Sequence, residues 1–302
     1  MAVSPTLPTA ADALRTQQRA ESLALRLPPL LVAAERVAAT VAQGVHGRRR
    51  VGTGETFWQF RRYQPGDSVA TIDWRQSAKS AHVFVRETEW EAAQTAWLWR
   101  DSSPSMNWRS TRSLPTKRER ADLLTLALAV LLVRGGERVA LLGSGIAPSA
   151  ARSIMPRLAL HMTAEAPRSD GMGLPPPEPL PRHAQLVVVG DLLSPLAEIQ
   201  AMVAAFAARG LRGHLVQVLD PAEETLPFDG RVAFEGLEGE TQMLVPRVES
   251  IRAAYLERLS AQKAGLTAIA RTAGWSLTCH RTDRSPQAAL LALWGALARE
   301  AV

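Results

Sequence analysis

Asp101, Ser103 and Ser105 stand in D-x-S-x-S spacing directly after the apolar run Trp97-Leu98-Trp99. A carboxylate and two hydroxyls on alternate residues of a tight loop can converge on one centre. Such hard oxygen donors suit Mg²⁺ or Mn²⁺. A second carboxylate, Asp191, follows another apolar run, Leu186 to Val189, and Asp220 follows Leu219 as a third, more peripheral candidate. With the hydroxyls as direct ligands and Asp101 and Asp191 acting through water, an ion would keep one position open for a carboxylate from outside. The same residues have a plainer use. Asp101 and Ser103 can cap backbone amides and Asp191 can open a turn, as Asp and Ser commonly do in loops. The spacing by itself leaves both readings open.

The elements around these residues bear on the choice. From residue 93 onward strands and helices alternate: QTAWLWRD, then a helix through TKRERADLLTLALAVLLVRGG, then RVALLGSG, with a further helix from Ser153 to Thr163. AQLVVVGD reads as a strand buried on both faces, because its apolar run shows no polar alternation. SPLAEIQAMVAAFAARG follows as a helix with Ser194 at its N-cap. GHLVQVLD is the next strand, RVAFEGLEGETQMLVP a short β-rich excursion, Val248 to Ala273 a long helix, WSLTCH a strand, and the closing helix starts at Pro286. This order predicts an α/β fold, a doubly wound and mainly parallel sheet of Rossmann type. In such a sheet ligands gather at the carboxyl ends of strands, where Asp101 and Asp191 both fall.

Residues 1–92 precede this pattern as a helical and β-rich extension, and residues 93–302 form the α/β domain. Leu30, Leu31, Ala34, Val37, Ala38 and Val41 are spaced for one helix face, QPGD (64–67) marks a turn, and HVFVRE reads as a strand. The chain of 302 residues is 46% hydrophobic and 21% charged, which excludes a disordered class. Its net charge of +6 raises a polyanionic partner, but an arginine- and alanine-rich composition also reflects a GC-rich genome, so nucleic acid is not the favoured partner. The single cysteine, Cys279, rules out an intramolecular disulfide and agrees with a reducing cytoplasm. No signal peptide is read at the amino terminus. The longest apolar run, Leu123 to Val133, falls short of the about 20 residues of a membrane span.

Residues 47–91, GRRRVGTGETFWQFRRYQPGDSVATIDWRQSAKSAHVFVRETEWE, resemble the hallmark of the domain-of-unknown-function 58 family. There G-x-G-x-E-F precedes R-x-Y-x-P-G-D-D-x-R-x-I-D-W and a strand ending in Glu. The matching positions are Gly52, Gly54, Glu55, Arg61 or Arg62, Tyr63, Pro65, Gly66, Asp67, Ile72, Asp73 and Trp74. The carboxyl-terminal part of that family is similar to von Willebrand factor A domains, whose metal-ion-dependent adhesion site begins with D-x-S-x-S. By position, Asp101, Ser103 and Ser105 match its first segment and Asp191 its later aspartate, whereas its threonine has no clear counterpart. The resemblance implies a cytoplasmic, non-catalytic interaction module that grips an acidic residue of a partner through Mg²⁺ or Mn²⁺. It also implies a MoxR-type AAA+ ATPase, or that machine's client, as partner. Arg61, Arg62, Tyr63, Asp67, Asp73, Trp74 and Arg109 are the expected partner-binding residues.

Arg109, Arg112, Lys117, Arg118 and Arg120 form a basic collar in sequence next to the D-x-S-x-S loop, suited to steering an acidic partner. Asp73 beside Trp74 and Arg75 suggests a buried pair locking the hallmark segment to the sheet domain. Cys279 and His280 point to opposite faces of one strand, which excludes a nucleophile–base pair and makes Cys279 a core thiol. No phosphate-binding G-x-x-x-x-G-K-[ST] and no G-x-S-x-G or H-E-x-x-H hydrolase signature occurs. A metal-dependent hydrolase of a phosphate-containing substrate is the alternative, with Asp101 and Asp191 holding the ion. A basic nucleic-acid-binding module is a second alternative.

Overall fold

The computed structural model describes residues 28–43, 51–64, 72–80, 82–89, 95–164, 173–237 and 242–299. Strands β3 (Thr95–Arg100), β4 (Arg138–Leu141), β5 (Gln185–Gly190), β6 (Arg212–Leu219) and β9 (Ser276–Arg281) form one five-stranded sheet in the order β4-β3-β5-β6-β9. Every pairing in it is parallel. The chain steps outward from β3 to β4, returns past β3 to β5, and then continues in the opposite direction. The reversal lies between β3 and β5, and this is where a doubly wound sheet opens a crevice at its carboxyl edge.

Side-chain alternation on these strands builds two cores. Leu98, Val187, Val189, Val216 and Val218 face helices α1 (Pro28–Gln43), α3 (Lys117–Arg134), α4 (Ile154–Ala164) and α8 (Pro286–Arg299). Trp99, Leu186, Val188 and Leu215 face α5 (Leu196–Ala207) and α7 (Glu249–Thr272). Both faces of β5 are therefore covered, which is why its run lacks polar alternation. Helix α3 is apolar nearly all round because it lies between the sheet and α1 with α8. Its start is fixed by a capping box: Thr116 Oγ1 accepts from the Glu119 amide at 3.0 Å, and Glu119 Oε2 accepts from the Thr116 amide at 2.8 Å. The amino-terminal helix α1 thus belongs to the core of the α/β fold, through Ala34, Val37, Ala38 and Val41.

Two small antiparallel sheets are added to this frame. Strands β1 (Val51–Arg62) and β2 (Phe84–Glu89) pair with register shifts near Phe57, and the one-turn helix α2 (Trp74–Ser77) lies between them in sequence. Strands β7 (Val232–Phe234) and β8 (Met243–Val245) form the excursion expected before the long helix α7. Among the described residues no helix is long and apolar enough to cross a membrane.

Three local expectations change. Helix α5 begins at Leu196 with Pro195 at its cap and no side-chain cap bond. Ser194 instead offers its carbonyl to Gln262 Nε2 at 2.9 Å, a tertiary contact that propensity does not foresee. Cys279 is exposed rather than a core thiol, because β9 is an edge strand. Asp73, Trp74 and Arg75 form no buried pair: Trp74 is 65% exposed, and Asp73 Oδ1 accepts from the Gln76 amide at 2.8 Å as the cap of α2.

His280, next to Cys279, faces inward. Burial, reinforced by the positive charge of Arg120, lowers its pKa from 6.5 to about 4. A base whose folded pKa is depressed stays neutral in the native state while the unfolded chain takes up a proton. Stability is then lost as pH falls from 6.5 toward about 4, and the expected loss is about 3 kcal/mol. Urea unfolding at pH 7 and pH 4 should show wild type losing about 3 kcal/mol more than His280→Gln; equal losses would show that His280 does not titrate this way.

Candidate functional site at the strand switch point

Asp101 and Asp191 each stand one residue beyond the adjacent strands β3 and β5. Asp101 is fully buried. Its amide continues the ladder by donating to Val189 O at 2.8 Å, and its Oδ1 accepts from the Ser103 amide at 2.7 Å. The amide-capping use of this carboxylate is thus realised. The carboxylate lies against two glycines. A Cβ added to Gly190 would meet Asp101 Cβ at 2.9 Å, and one added to Gly173 would meet Asp101 Oδ2 at 3.0 Å. Those glycines leave the room that the acid fills.

Ser105 rides on a single 3₁₀ turn, Pro104–Asn107, which brings its hydroxyl 3.0 Å from that of Ser103. Ser105 Oγ donates to Asp191 Oδ2 at 2.8 Å. The backbone at Asp191 is held from both sides: Gln217 Nε2 donates to its carbonyl at 3.0 Å, and its Oδ1 accepts from the Leu193 amide at 3.3 Å. Leu192 adopts a φ of 51° to make this turn.

The centre of the arrangement is Lys117, the first residue of α3. It is 1% exposed, and its Nζ donates to Asp191 Oδ2 at 2.9 Å and to Glu223 Oε1 at 2.6 Å. Burial alone would lower its pKa, but the two carboxylates outweigh burial and hold the ammonium above its ordinary value. Glu223 is pushed up by burial, with Lys117 opposing and Asp191 adding to the rise. Glu223 lies in the short helix α6 (Pro221–Thr225), capped by Asp220. Asp220 Oδ1 accepts from the Ala222 amide at 2.8 Å and its Oδ2 from the Ser110 amide at 3.0 Å, so this third acid serves as a cap and tie.

A cleft of ≈ 1010 Å³ opens above these groups. Ser103, Ser105, Lys117, Asp191 and Glu223 lie in its lining, and Phe228, Val232 and Phe234 form an apolar wall, the two phenyl rings meeting edge-to-face at 6.1 Å. Leu193 and Leu237, both largely exposed, flank it. Arg109 also lines the cleft, so the structure brings it together with Ser103, Ser105 and Asp191, while Asp101 packs behind. Among the described residues Arg61, Arg62, Tyr63, Asp73 and Trp74 do not line it; they belong to the β1–β2 hairpin and its helical turn. Asp67 lies outside the described residues. The basic collar is dispersed: Lys117 is interior, Arg118 Nη2 donates to Met162 O at 3.4 Å, and Arg120 Nη2 to Thr282 O at 2.7 Å.

Sequence reasoning missed Lys117 as an interior group and missed Glu223. One signal was available, for the chain has only three lysines among its 35 basic residues. A lysine in an arginine-dominated chain marks a place for a compact point charge rather than a planar fork.

The donor set can be weighed against a divalent ion. Ser103, Ser105 and Asp191 offer oxygens of the right hardness. With metal–oxygen distances of about 2.1 Å, an ion on Asp191 Oδ2 would lie at most about 5 Å from the Lys117 ammonium. Such charges repel by about 7 kcal/mol for an effective dielectric of about 20. Asp191 and Glu223 carry two negative charges against the ammonium's one, so only a single net negative charge is left to offset this repulsion. In this arrangement the residues do not fit a divalent ion ligated through Asp191.

Removing one partner of a buried ion cluster strands the others. Lys117→Met is therefore expected to cost about 3–5 kcal/mol at pH 7 by denaturant unfolding, with the deficit shrinking toward pH 4 as the stranded Glu223, already pushed up by burial, takes up a proton. A deficit below about 1 kcal/mol, the range of a surface pair, would contradict the geometry.

The chain is 27% identical over 262 residues to uncharacterized proteins of Mycobacterium tuberculosis (strain H37Rv) and Mycobacterium bovis, covering 81% of this chain and 80% of theirs. Among solved structures, an aerotolerance-related membrane protein from Bacteroides fragilis aligns at 14% identity with a TM-score of 0.42. BatB, a conserved hypothetical protein from Bacteroides thetaiotaomicron, aligns at 13% identity with a TM-score of 0.41. Each alignment covers 68% of this chain and 99% of the other. The family described as protein of unknown function DUF58 matches residues 59–265, and the chain belongs to that family.

Proposed function

We propose that this protein is a protein-interaction module that seats a segment of a partner in the cleft at the strand switch point. The observation that carries this reading is the cleft's division into a hydrogen-bonded polar floor and an apolar wall. Pockets of this kind bind by apolar burial and orient the bound group through a few polar atoms. Leu193 and Leu237 add exposed apolar surface beside it, available for a partner to cover.

The hydrolase alternative receives less support. Ser105 gives its hydroxyl hydrogen to Asp191 Oδ2, and the same oxygen also accepts from Lys117. The oxygen that this alternative would give to an ion is thus already shared by a hydroxyl and an ammonium. The resemblance noted in the sequence nominates a MoxR-type AAA+ ATPase, or its client, as the partner.

The test is calorimetric titration of the MoxR-type ATPase encoded by the same genome into the full chain. Saturable binding is expected, weakened at least tenfold (about 1.4 kcal/mol) in Leu193→Asp and Leu237→Asp. It should be unchanged in Leu291→Asp, whose exposed side chain lies outside the cleft. Binding insensitive to both cleft variants would overturn the cleft as the docking site; no binding by wild type would overturn the ATPase as the partner.

A further inference from the structure

We propose that Lys117 is the resident cation of the switch-point site, standing where the D-x-S-x-S pattern leads one to expect a divalent ion, and that recognition at this cleft proceeds without metal. The inference deepens the interaction reading above by naming the charge that the floor of the cleft carries.

Three observations converge on it. The D-x-S-x-S loop and the Asp191 turn do meet: Ser103, Ser105 and Asp191 Oδ2 form a chain of oxygens 3.0 and 2.8 Å apart. The end of that chain is taken by an ammonium, 2.9 Å from the same Asp191 oxygen and 2.6 Å from Glu223. The ammonium arrives on the first residue of α3, inside the Thr116–Glu119 capping box that fixes that helix end, so its backbone is anchored independently of the site. A lysine supplies three donors and a single charge. Two of its partners here are the buried acids, and the charge it brings is the one those acids need. A divalent ion would have to displace this ammonium or lie beside it within a buried space.

A consequence concerns the partner. Among the charged groups lining the cleft, Lys117 is engaged by Asp191 and Glu223, and the others are the acids Glu198 and Glu235 and a single Arg109. Without an ion this lining does not attract a carboxylate from outside. An acidic residue gripped through metal is replaced by an apolar segment seated over a floor in which two acids share one ammonium.

The experiment uses Mn²⁺ alone as probe and requires no partner, so it can fail independently of the interaction reading. Mn²⁺ is titrated into the full chain and followed by the loss of the free-ion electron paramagnetic resonance signal, with thermal unfolding measured alongside. Wild type is expected to leave the free-ion signal intact into the millimolar range and to show no metal-dependent change in Tm. Lys117→Ala removes the ammonium and leaves an all-oxygen set. It is expected to bind Mn²⁺ saturably, at least tenfold more tightly than wild type, and to gain thermal stability when the ion is added. Lys117→Gln retains hydrogen-bond donors to both acids, which favours folding, but brings no charge, and it should gain Mn²⁺ binding too. Saturable submillimolar binding by wild type, lost in Asp191→Asn, would overturn the proposal. So would a folded Lys117→Ala or Lys117→Gln that binds Mn²⁺ no better than wild type.

Discussion

A buried ammonium between two buried carboxylates is the constraint around which the carboxyl edge of this sheet is organised. Lys117 starts α3, Asp191 follows β5, and Glu223 follows β6. Three chain segments far apart in sequence are thus joined at a single nitrogen. Taking such charges out of water is costly, and mutual attraction offsets the cost only when geometry is close and the remaining lone pairs are satisfied. Both conditions are met here. The 2.9 and 2.6 Å contacts are backed by Ser105 on Asp191 and by the Asp220 amide on Glu223. The supporting cast is itself anchored, since Asp220 reaches across to the Ser110 amide and Gln217 holds the Asp191 carbonyl. A cluster of this kind contributes definition of the loops more than net stability. It forms fully only when the ends of β5 and β6 and the start of α3 are all in register.

That view explains the glycines around Asp101. The carboxylate of Asp101 is too close to Gly190 and Gly173 for either to carry a side chain without displacement. Gly190 is the last residue of β5, so the room for one acid is built into the strand that presents the other. Apolar burial behind the edge supplies the rigidity. Leu98, Val187 and Val189 face one helical layer while Trp99, Leu186 and Val188 face the other, which fixes β3 and β5 beside one another up to their last residues. Polar groups placed one residue beyond such strands inherit that precision.

Much of the fold was legible because its signals are local or periodic. The continuous run of β5 announced burial on both faces, the run TKRERADLLTLALAVLLVRGG announced α3, and strand–helix alternation announced a parallel sheet. The elements expected from the sequence fall within a few residues of those observed, with Pro195 in the place expected for Ser194 at α5, whereas β1, α2 and α6 are not foreseen as separate elements. The candidate site was legible in half. Asp101, Ser103, Ser105 and Asp191 could be placed together because each follows a strand and the sheet rule brings strand ends together. Lys117 could not, since its sequence neighbours Arg118, Glu119 and Arg120 suggest a solvated helix start. Apart from the rarity of lysine in this chain, no periodicity or spacing says that the first of four consecutive charged residues turns inward. Glu223 was hidden for a related reason, because in sequence it is one of two adjacent glutamates in a short helix beyond a cap. The partner-binding residues expected on the hallmark segment rested on resemblance, and the geometry of Asp73 shows how such a residue can have a local task, capping α2, that no motif records.

The pairing of charges on the cleft floor also decides which part of the cleft can confer specificity. A floor with one ammonium between two acids keeps a net negative charge that disfavours acidic segments, and its hydrogen bonds would have to be broken before they could be shared. On the interaction reading proposed above, discrimination between partners would then fall mainly on the wall. That wall is supplied by the segment between α6 and α7, with Phe228, Val232 and Phe234 packed on one another and on the beginning of α7. It is an insertion in the layered frame, paired only within itself as β7 and β8 and secured by Tyr255 through its bond to the Glu223 carbonyl at 2.7 Å. Glu223 is therefore shared: its carboxylate fixes Lys117, and its carbonyl fixes the helix beneath the wall. Loss of the ammonium would loosen the floor and, through Glu223, the apolar surface beside it. In this fold the group that fixes the site's charge also sets its shape.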